Sequence, residues 1–381
     1  MAPLAVVGRF PPPLDGQAVA TARLADLLSS TRAVTRVDVG APEGDHVVAP
    51  GGARIGRALH AVRLRARVRQ ALAETPGAPV LWPSVSPSPL GHLRDQAWVA
   101  PAFGDRAVVG VVHRGDFGRL FTSLWTRRTA LHLVRRLAAL VFLTDGLAEA
   151  CAPWVPAAKR VVIPNTIDED VIPPPSAVRD KRGRRASRAP AAPLRLLYLS
   201  AMIPSKGYES VLEATSVLRD RGVAVHTTFA GRWESEAAAR HFGAEVERRR
   251  LGDSVVVKGG LGRSGVAALH LASDVLVLPT TYPAEAQPLV VIEALAAGTP
   301  VLVSRHAGLP EMVSDGVEGF FVRPSAPEEI ADGAVQIAER WAEHSEAARD
   351  RFHSVYSPDA VRGQWEGLLA RISPTARPAA R

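Results

Sequence analysis

The sequence predicts an α/β protein of two doubly wound domains, each a parallel sheet with helices on both faces. Three observations predict it. Short β-branched apolar runs alternate with longer amphipathic stretches, and the alternation occurs twice along the chain. A basic, proline-rich segment lies between the two series. The 381 residues, 47% hydrophobic and 22% charged, suffice for two or three domains at about 100–200 residues each.

In the first series, strands are expected at Leu4–Val7, Val34–Val39, Pro79–Trp82, Ala107–Val112, Ala139–Leu143 and Val161–Ile163. Each run is short, apolar and bounded by turn-forming or polar residues. Helical spacing falls between them, as over Ala18–Leu28 and Ile55–Leu72. In the second series the strands read Leu194–Leu199, Ala224–Ala230, Ser254–Val257, Val275–Leu278, Pro300–Val303 and Gly319–Val322. Helices are expected over Tyr208–Leu218, Val266–Leu271, Leu289–Ala297 and finally Pro358–Ile372. The first domain is therefore drawn over 1–170 and the second over 194–356, with a terminal helix at 357–372. Residues 171–193 carry three consecutive prolines from Pro173 and a basic run from Arg179 to Arg185. So little apolar area predicts a mobile linker.

Composition excludes several classes. No uncharged apolar run approaches the ~18–20 residues that cross a bilayer. The stretch Met1–Val7 has no basic region, so no secretory leader is expected. Cys151 is the only cysteine, which removes intramolecular disulfides and Cys-rich metal sites, and a reducing, cytoplasmic setting is expected. The net charge of +8 divides into +6 over 1–170, +5 over 171–193 and −3 over 194–381. Only four of the basic residues are lysines (Lys159, Lys181, Lys206 and Lys258), an arginine- and alanine-rich usage that points to genomic base content. Basic residues are not interleaved with aromatics, so no nucleic-acid partner is expected. Two basic amphipathic stretches suit peripheral contact with an anionic membrane, although a solvated basic face is the commoner reading. Ile55–Leu72 carries Arg57, Arg63, Arg65, Arg67 and Arg69, and Leu124–Leu140 carries Arg127, Arg128, Arg135 and Arg136.

The most informative stretch runs from Pro279 to Val301. The strand Val275–Leu278 leads into a loop carrying Glu285, and Pro288 suits the first helical position, where its missing N–H costs nothing. Gly298 and Pro300 stop the helix. The free N–H groups of Leu289 and Val290 then lie at a helix N-terminus beside the C-terminal edge of a parallel sheet, a place that attracts phosphate. Glu285 and Glu293 flank that terminus. Carboxylates beside a phosphate site suit hydroxyl groups attached to the phosphate, with one near each end of a diphosphate.

Glu285 and Glu293 are separated by seven residues within Asp274-Val-Leu-Val-Leu-Pro279 and Glu293-Ala-Leu-Ala-Ala-Gly298-Thr-Pro300-Val301. This resembles the paired-glutamate motif of retaining GT-B glycosyltransferases of family 4. The resemblance implies two Rossmann-like domains facing across a cleft. It implies a nucleoside-diphosphate sugar donor of UDP or GDP type and a hydroxyl acceptor, such as a glycan, a lipid-linked glycan or a natural product. Anomeric configuration would be retained, with no cofactor and no metal. Glu285 would hold donor-sugar hydroxyls and Glu293 the ribose. The family has Gly-Phe-Gly after the first glutamate; here Ala286-Gln287-Pro288 stands instead, and Pro288 cannot donate a backbone N–H. The run Leu197–Gly207 resembles the family's Gly-Arg-x4-Lys-Gly, so Lys206 would neutralise the departing diphosphate. Ala201 occupies the Arg position, so either another arginine such as Arg9 or Arg232 substitutes, or the chemistry leans on Lys206 and the helix terminus.

Weaker matches lie in the first half. Arg9–Gln17, with Gly16, resembles the family's first loop beside the ligand. His113, in His113-Arg114-Gly115-Asp116-Phe117, resembles the histidine that faces the donor sugar, with Arg114 and Asp116 as acceptor contacts. Val162–Asp168 resembles the segment that closes the first domain, and in related proteins the terminal helix crosses back onto that domain. Gly260-Leu-Gly262-Arg-Ser-Gly265 fits Gly-x-Gly-x-x-Gly, but it follows a third strand and not a first. The corresponding family loop borders the nucleotide base, and Gly260 is assigned there. Asp168-Glu-Asp170 is literally Asp-x-Asp but sits at the linker edge, and no metal is expected there. Two alternatives stay open: a GT-B sugar-nucleotide epimerase, which shares the architecture and the donor but needs no acceptor, and, on account of Ala201, Ala286 and Pro288, a non-catalytic sugar-nucleotide-binding or membrane-binding relative.

Overall fold

The computed structural model describes residues 2–12, 16–40, 53–83, 85–86, 88–189 and 192–372, without the side chains of 16–17 and 53–62. The chain divides into two compact units. Unit 1 comprises Met1–Asn165 with Val361–Arg381, and unit 2 comprises Thr166–Ala360.

Unit 1 is built on β1 (Leu4–Gly8), β2 (Val34–Asp38), β3 (Val80–Trp82), β4 (Val108–Val112), β5 (Ala139–Phe142) and β6 (Arg160–Val162). These form a parallel sheet in the order β2-β1-β3-β4-β5-β6. Its helices include α1 (Gly16–Ser29), α2 (Ala53–Ala73), α3 (Pro89–Arg94), α4 (Arg119–Thr122), α5 (Arg127–Arg136) and α6 (Asp145–Ala150). Alternate residues of a strand point to opposite faces. Leu4 and Val6 accordingly pack with Leu24 and Leu28 of α1 and with Trp365 and Leu368 of the last helix, Pro358–Ile372. Ala5 and Val7 pack on the other face, with Leu64 and Val68 of α2 and Leu133 of α5. Burial on both faces explains why β1 reads as an unbroken apolar run. Arg32 Nε also donates to Glu366 Oε1 at 3.2 Å, tying the last helix to the end of α1.

Unit 2 carries β7 (Leu194–Leu199), β8 (Val225–Ala230), β9 (Val255–Lys258), β10 (Val275–Leu278), β11 (Val301–Val303) and β12 (Gly319–Phe321). The parallel order is β12-β11-β10-β7-β8-β9. The helices include α7 (Pro175–Ala186), α8 (Tyr208–Asp220), α9 (Glu236–Arg248), α10 (Arg263–Ala272), α11 (Leu289–Ala296), α12 (Leu309–Met312), α13 (Pro327–Glu339) and α14 (Trp341–Arg351). Strand order reverses between β7 and β10. Where strand order reverses, the helices that follow the two strands pack on opposite faces, and ligands of open α/β sheets bind at the carboxyl edge of that point.

The expected linker is corrected here. Most of 171–193 is helix α7, which packs on unit 2, and Val178 and Lys181 are buried. Lys181 Nζ donates to the carbonyls of His270 (2.9 Å) and Ala297 (3.3 Å) and to Thr299 Oγ1 (2.6 Å). The ammonium thus sits where the C-terminal ends of α10 and α11 converge, the negative end of both helix dipoles. Burial pushes its pKa down to about 7. The arginines have partners too: Arg182 Nε lies 3.3 Å from Ser345 Oγ, and Arg188 Nη1 lies 2.6 Å from the buried Asp274 Oδ2. Long basic side chains cover apolar surface with their stems and satisfy carbonyls with their heads, so a segment with few apolar anchors still docks. Pro190 and Ala191 of this segment lie outside the described residues. Among the described residues, no helix is long and apolar enough to cross a membrane.

Candidate functional site

Two loops meet at the reversal of strand order in unit 2. One leaves β7 and carries Lys206 on a single 3-10 turn, Pro204–Lys206; the other leaves β10 and carries Glu285. The Thr281 N–H donates to the Ser205 carbonyl at 2.7 Å, and Thr280 Oγ1 lies 3.3 Å from the same oxygen. From the β11 side, Ser304 Oγ donates to the Thr280 carbonyl at 2.6 Å, and His306 Nε2 lies 2.8 Å from the Tyr282 carbonyl. The loop bearing Glu285 is therefore braced by both neighbouring strands.

Lys206 Nζ and Glu285 Oε2 are 2.5 Å apart, and their side chains are only 12% and 8% exposed. Thr280 Oγ1 adds a 3.3 Å bond to the same carboxylate oxygen. The ammonium also lies 4.6 Å from the centre of the Tyr282 ring, a favourable cation–π distance. A nearly buried ion pair holds both partners in one geometry, because separating them leaves a charge short of water. Gly207 follows with φ +82°, and a Cβ there would lie 2.5 Å from the Pro279 carbonyl oxygen. Gly207→Ala is expected to cost about 1–3 kcal/mol and to move Lys206 away from Glu285. Thermal unfolding and the donor-binding assay below would read both effects; a variant with unchanged melting and binding would contradict the close approach.

Helix α11 begins at Leu289, with Pro288 one position earlier as its cap. Leu289 and Val290 are its first two residues, whose N–H groups have no carbonyl a turn earlier within the helix. No side chain caps this terminus. Glu293, farther along the helix, faces α10: its Oε2 is 3.9 Å from Nε2 of His270. His270 is fully buried, and its ring nitrogens make no hydrogen bond among the described residues. Burial lowers its pKa, against the pull of Glu293. The sequence reading missed His270, Thr280 and Tyr282; an apolar helical pattern hides the first, and loop residues carry no period.

Gly260 lies in the loop between β9 and α10. A Cβ there would sit 3.0 Å from Cγ of Arg232, so the arginine packs against this glycine. The Arg232 carbonyl accepts from the Met202 N–H at 2.9 Å, which puts Arg232 beside the loop of Ala201. Asp168 and Asp170 face Arg263, whose Nη1 lies 3.3 and 3.5 Å from their carboxylates.

The remaining candidates lie in unit 1. Gly16 is the first residue of α1, and Pro13–Asp15 of the loop before it lie outside the described residues. His113 directly follows β4. Both its ring nitrogens are shielded from solvent and lack a hydrogen-bond partner among the described residues, and burial pushes its pKa down to about 4. The imidazole is thus neutral near pH 7. Arg114 pairs with Asp116 through Nε–Oδ1 (2.9 Å) and Nη2–Oδ2 (2.8 Å), which holds that carboxyl below its usual range.

Residues 180–351, which include both loops and α11, match the family Glycosyl transferases group 1. Over those residues the chain is similar to group 1 glycosyltransferases. The WcaL glycosyltransferase assigned to colanic acid biosynthesis in Salmonella typhimurium is 31% identical over 205 residues, 49% of this chain and 48% of that protein. The D-inositol 3-phosphate glycosyltransferase of Streptomyces griseus is 32% identical over 200 residues, 48% of this chain and 42% of that protein. The chain spans about half the length of the curated relatives it matches. Among solved structures, HepE of Anabaena in complex with UDP is similar with a TM-score of 0.70 at 17% identity, covering 97% of this chain and 100% of that one. The two parallel six-stranded sheets thus match the GT-B architecture, and the residues that match the group 1 family make up most of unit 2.

Proposed function

We propose that this chain is a retaining glycosyltransferase. It moves a sugar from a nucleoside diphosphate of UDP or GDP type to a hydroxyl acceptor, without a metal. The observation that carries the reading is the Lys206–Glu285 pair at the strand-order reversal, beside the open N-terminus of α11. An ammonium and a helix terminus suit a diphosphate, and a carboxylate suits sugar hydroxyls. Lys206 neutralises the leaving diphosphate with the N–H groups of Leu289 and Val290. Arg232 supplies the cation missing at Ala201. Glu285 orients the donor sugar, Glu293 takes the ribose, and the loop at Gly260 borders the base. In the transfer, the bond from the anomeric carbon to the diphosphate oxygen breaks. The acceptor oxygen bonds the same carbon on the same face, and its proton passes to the departing diphosphate. The residues position the two substrates and stabilise separating charge.

Unit 1 selects the acceptor in this reading, with Gly16 in its first loop and the neutral His113 ring directed to the donor sugar. The setting is cytoplasmic, with the basic helices α2 and α5 resting on an anionic membrane surface. Thermal-shift titration against a panel of nucleoside-diphosphate sugars tests the proposal, since a ligand of the folded state raises its melting temperature. At least one UDP- or GDP-sugar is expected to shift it. Glu293→Ala should weaken that binding by about ten- to a hundredfold, the worth of a hydrogen bond to a charged group. A panel without a shift overturns the reading, and unchanged affinity in the variant removes the ribose contact.

A further inference from the structure

Four large apolar side chains of unit 1 are exposed among its described residues: Leu90, Leu93, Leu124 and Trp125. They fall on two neighbouring elements. Leu90 and Leu93 belong to α3; Leu124 and Trp125 form the turn between α4 and α5. His92 of α3 and Thr129 of α5 are joined by a 3.0 Å contact between Nε2 and Oγ1, which puts α3 beside the first turn of α5. Leu124 is 90% exposed, Trp125 86% and Leu90 83%. Scattered exposed leucines are ordinary, but two adjacent and almost fully exposed side chains, one of them a tryptophan, mark a contact surface.

The turn is built to hold this exposure. Thr126 is buried and its Oγ1 donates to the Leu120 carbonyl at 2.7 Å. The Arg127 N–H donates to the Ser123 carbonyl at 3.0 Å. On the near side, Phe121 is buried and stacks on Trp154 at 5.1 Å. Leu124 and Trp125 therefore project from a turn anchored at both ends. The surrounding stretch of sequence is mainly basic. Residues 89–136 hold eight arginines and three aspartates, with no lysine or glutamate. Arg119, Arg127 and Arg128 are exposed, while Asp95 and Asp116 are taken up by Arg94 and Arg114.

We propose that the Leu124–Trp125 turn inserts into the interfacial layer of an anionic lipid membrane while Arg119, Arg127 and Arg128 meet the headgroups. Tryptophan favours that layer, and apolar insertion beside basic residues is how a surface anchors on anionic lipid. The inference deepens the membrane contact proposed above and rests on it: contact by charge alone becomes contact by insertion.

Co-sedimentation with phosphatidylcholine vesicles, with and without phosphatidylglycerol, tests it at low and high salt. The full chain is expected to bind the phosphatidylglycerol vesicles and to keep part of that binding at high salt. Leu124→Ser with Trp125→Ser should weaken partition by about tenfold or more, with unchanged thermal unfolding because both side chains are exposed. Brominated lipid should quench a fraction of the tryptophan emission that Trp125→Phe removes. Equal binding of wild type and double variant, abolished by salt in both, overturns insertion and leaves the electrostatic contact standing. No vesicle binding at any salt overturns both. A dimer in sedimentation equilibrium that the double variant dissolves assigns the surface to a second copy and overturns the proposal.

Discussion

Glu285→Ala is expected to lower sugar transfer by a factor of about 10² to 10³ or more, the cost of removing one preorganised electrostatic contact from a reacting group. Nucleotide diphosphate should bind the variant at least as tightly as the native protein. The reason lies in the pairing: in the free protein Glu285 Oε2 is 2.5 Å from Lys206 Nζ, so a diphosphate that engages the ammonium competes with the carboxylate. Removing the carboxylate frees the cation and removes a negative charge from the approach of an anionic ligand. Glu285→Gln should retain the shape and part of the hydrogen bonding, and lose most of the rate. Turnover with a donor found by thermal shift, beside calorimetric titration of the nucleotide diphosphate, separates the two effects. Turnover within a few-fold of native, or activity and nucleotide affinity falling together, would refute the assignment of Glu285 to the sugar.

Lys181→Met should destabilise the fold by about 1–3 kcal/mol near neutral pH, because it leaves the buried Ala297 carbonyl without its Lys181 donor and removes one of the donors to the His270 carbonyl, which keeps that of Thr299 Oγ1. Methionine fills similar space, so the loss reports hydrogen bonding more than volume. The pH dependence gives a sharper test. The folded pKa of Lys181 is pushed down to about 7, against roughly 10.4 unfolded. Below about pH 7 the lysine is protonated in both states, and the cost of burying its charge is present in full. Between about pH 7 and 10.4 the unfolded chain binds the additional proton, so the native protein gains stability as pH rises. The methionine variant has no such term. The stability difference between the two should therefore grow with pH across that window, as read by chemical denaturation in matched buffers. A difference that stays flat would show that Lys181 keeps an ordinary pKa in the folded state.

Strands were the most legible feature. Runs such as Val108–Val112 and Val275–Leu278 are buried on both faces, so they are continuously apolar and hard to mistake. Strand order was not legible, because it depends on which helices pack on which face. The two units reverse at different places, between β1 and β3 in unit 1 and between β7 and β10 in unit 2. At the site, Lys206 and Glu285 are far apart in sequence and meet only through the pairing of β7 with β10. The motif named both residues; their mutual ion pair belongs to the fold. Helix α7 escaped notice for a related reason. Its basic run looks solvated until the carbonyls of His270 and Ala297, some 90 and 116 positions away, are in place to receive Lys181. His270 beside Glu293 is likewise a product of packing between α10 and α11.

Unit 1 is assembled from two stretches of chain that are separated by the whole of unit 2. On a translating ribosome, Leu4, Val6 and Leu28 emerge before unit 2, but Val361, Trp365, Leu368 and Leu369, which complete their cluster, emerge after it. Until the second is synthesised, the nascent first unit has that greasy face covered by α1 alone. Unit 2, drawn from consecutive residues, can finish first, so the unit begun earlier becomes the one completed later.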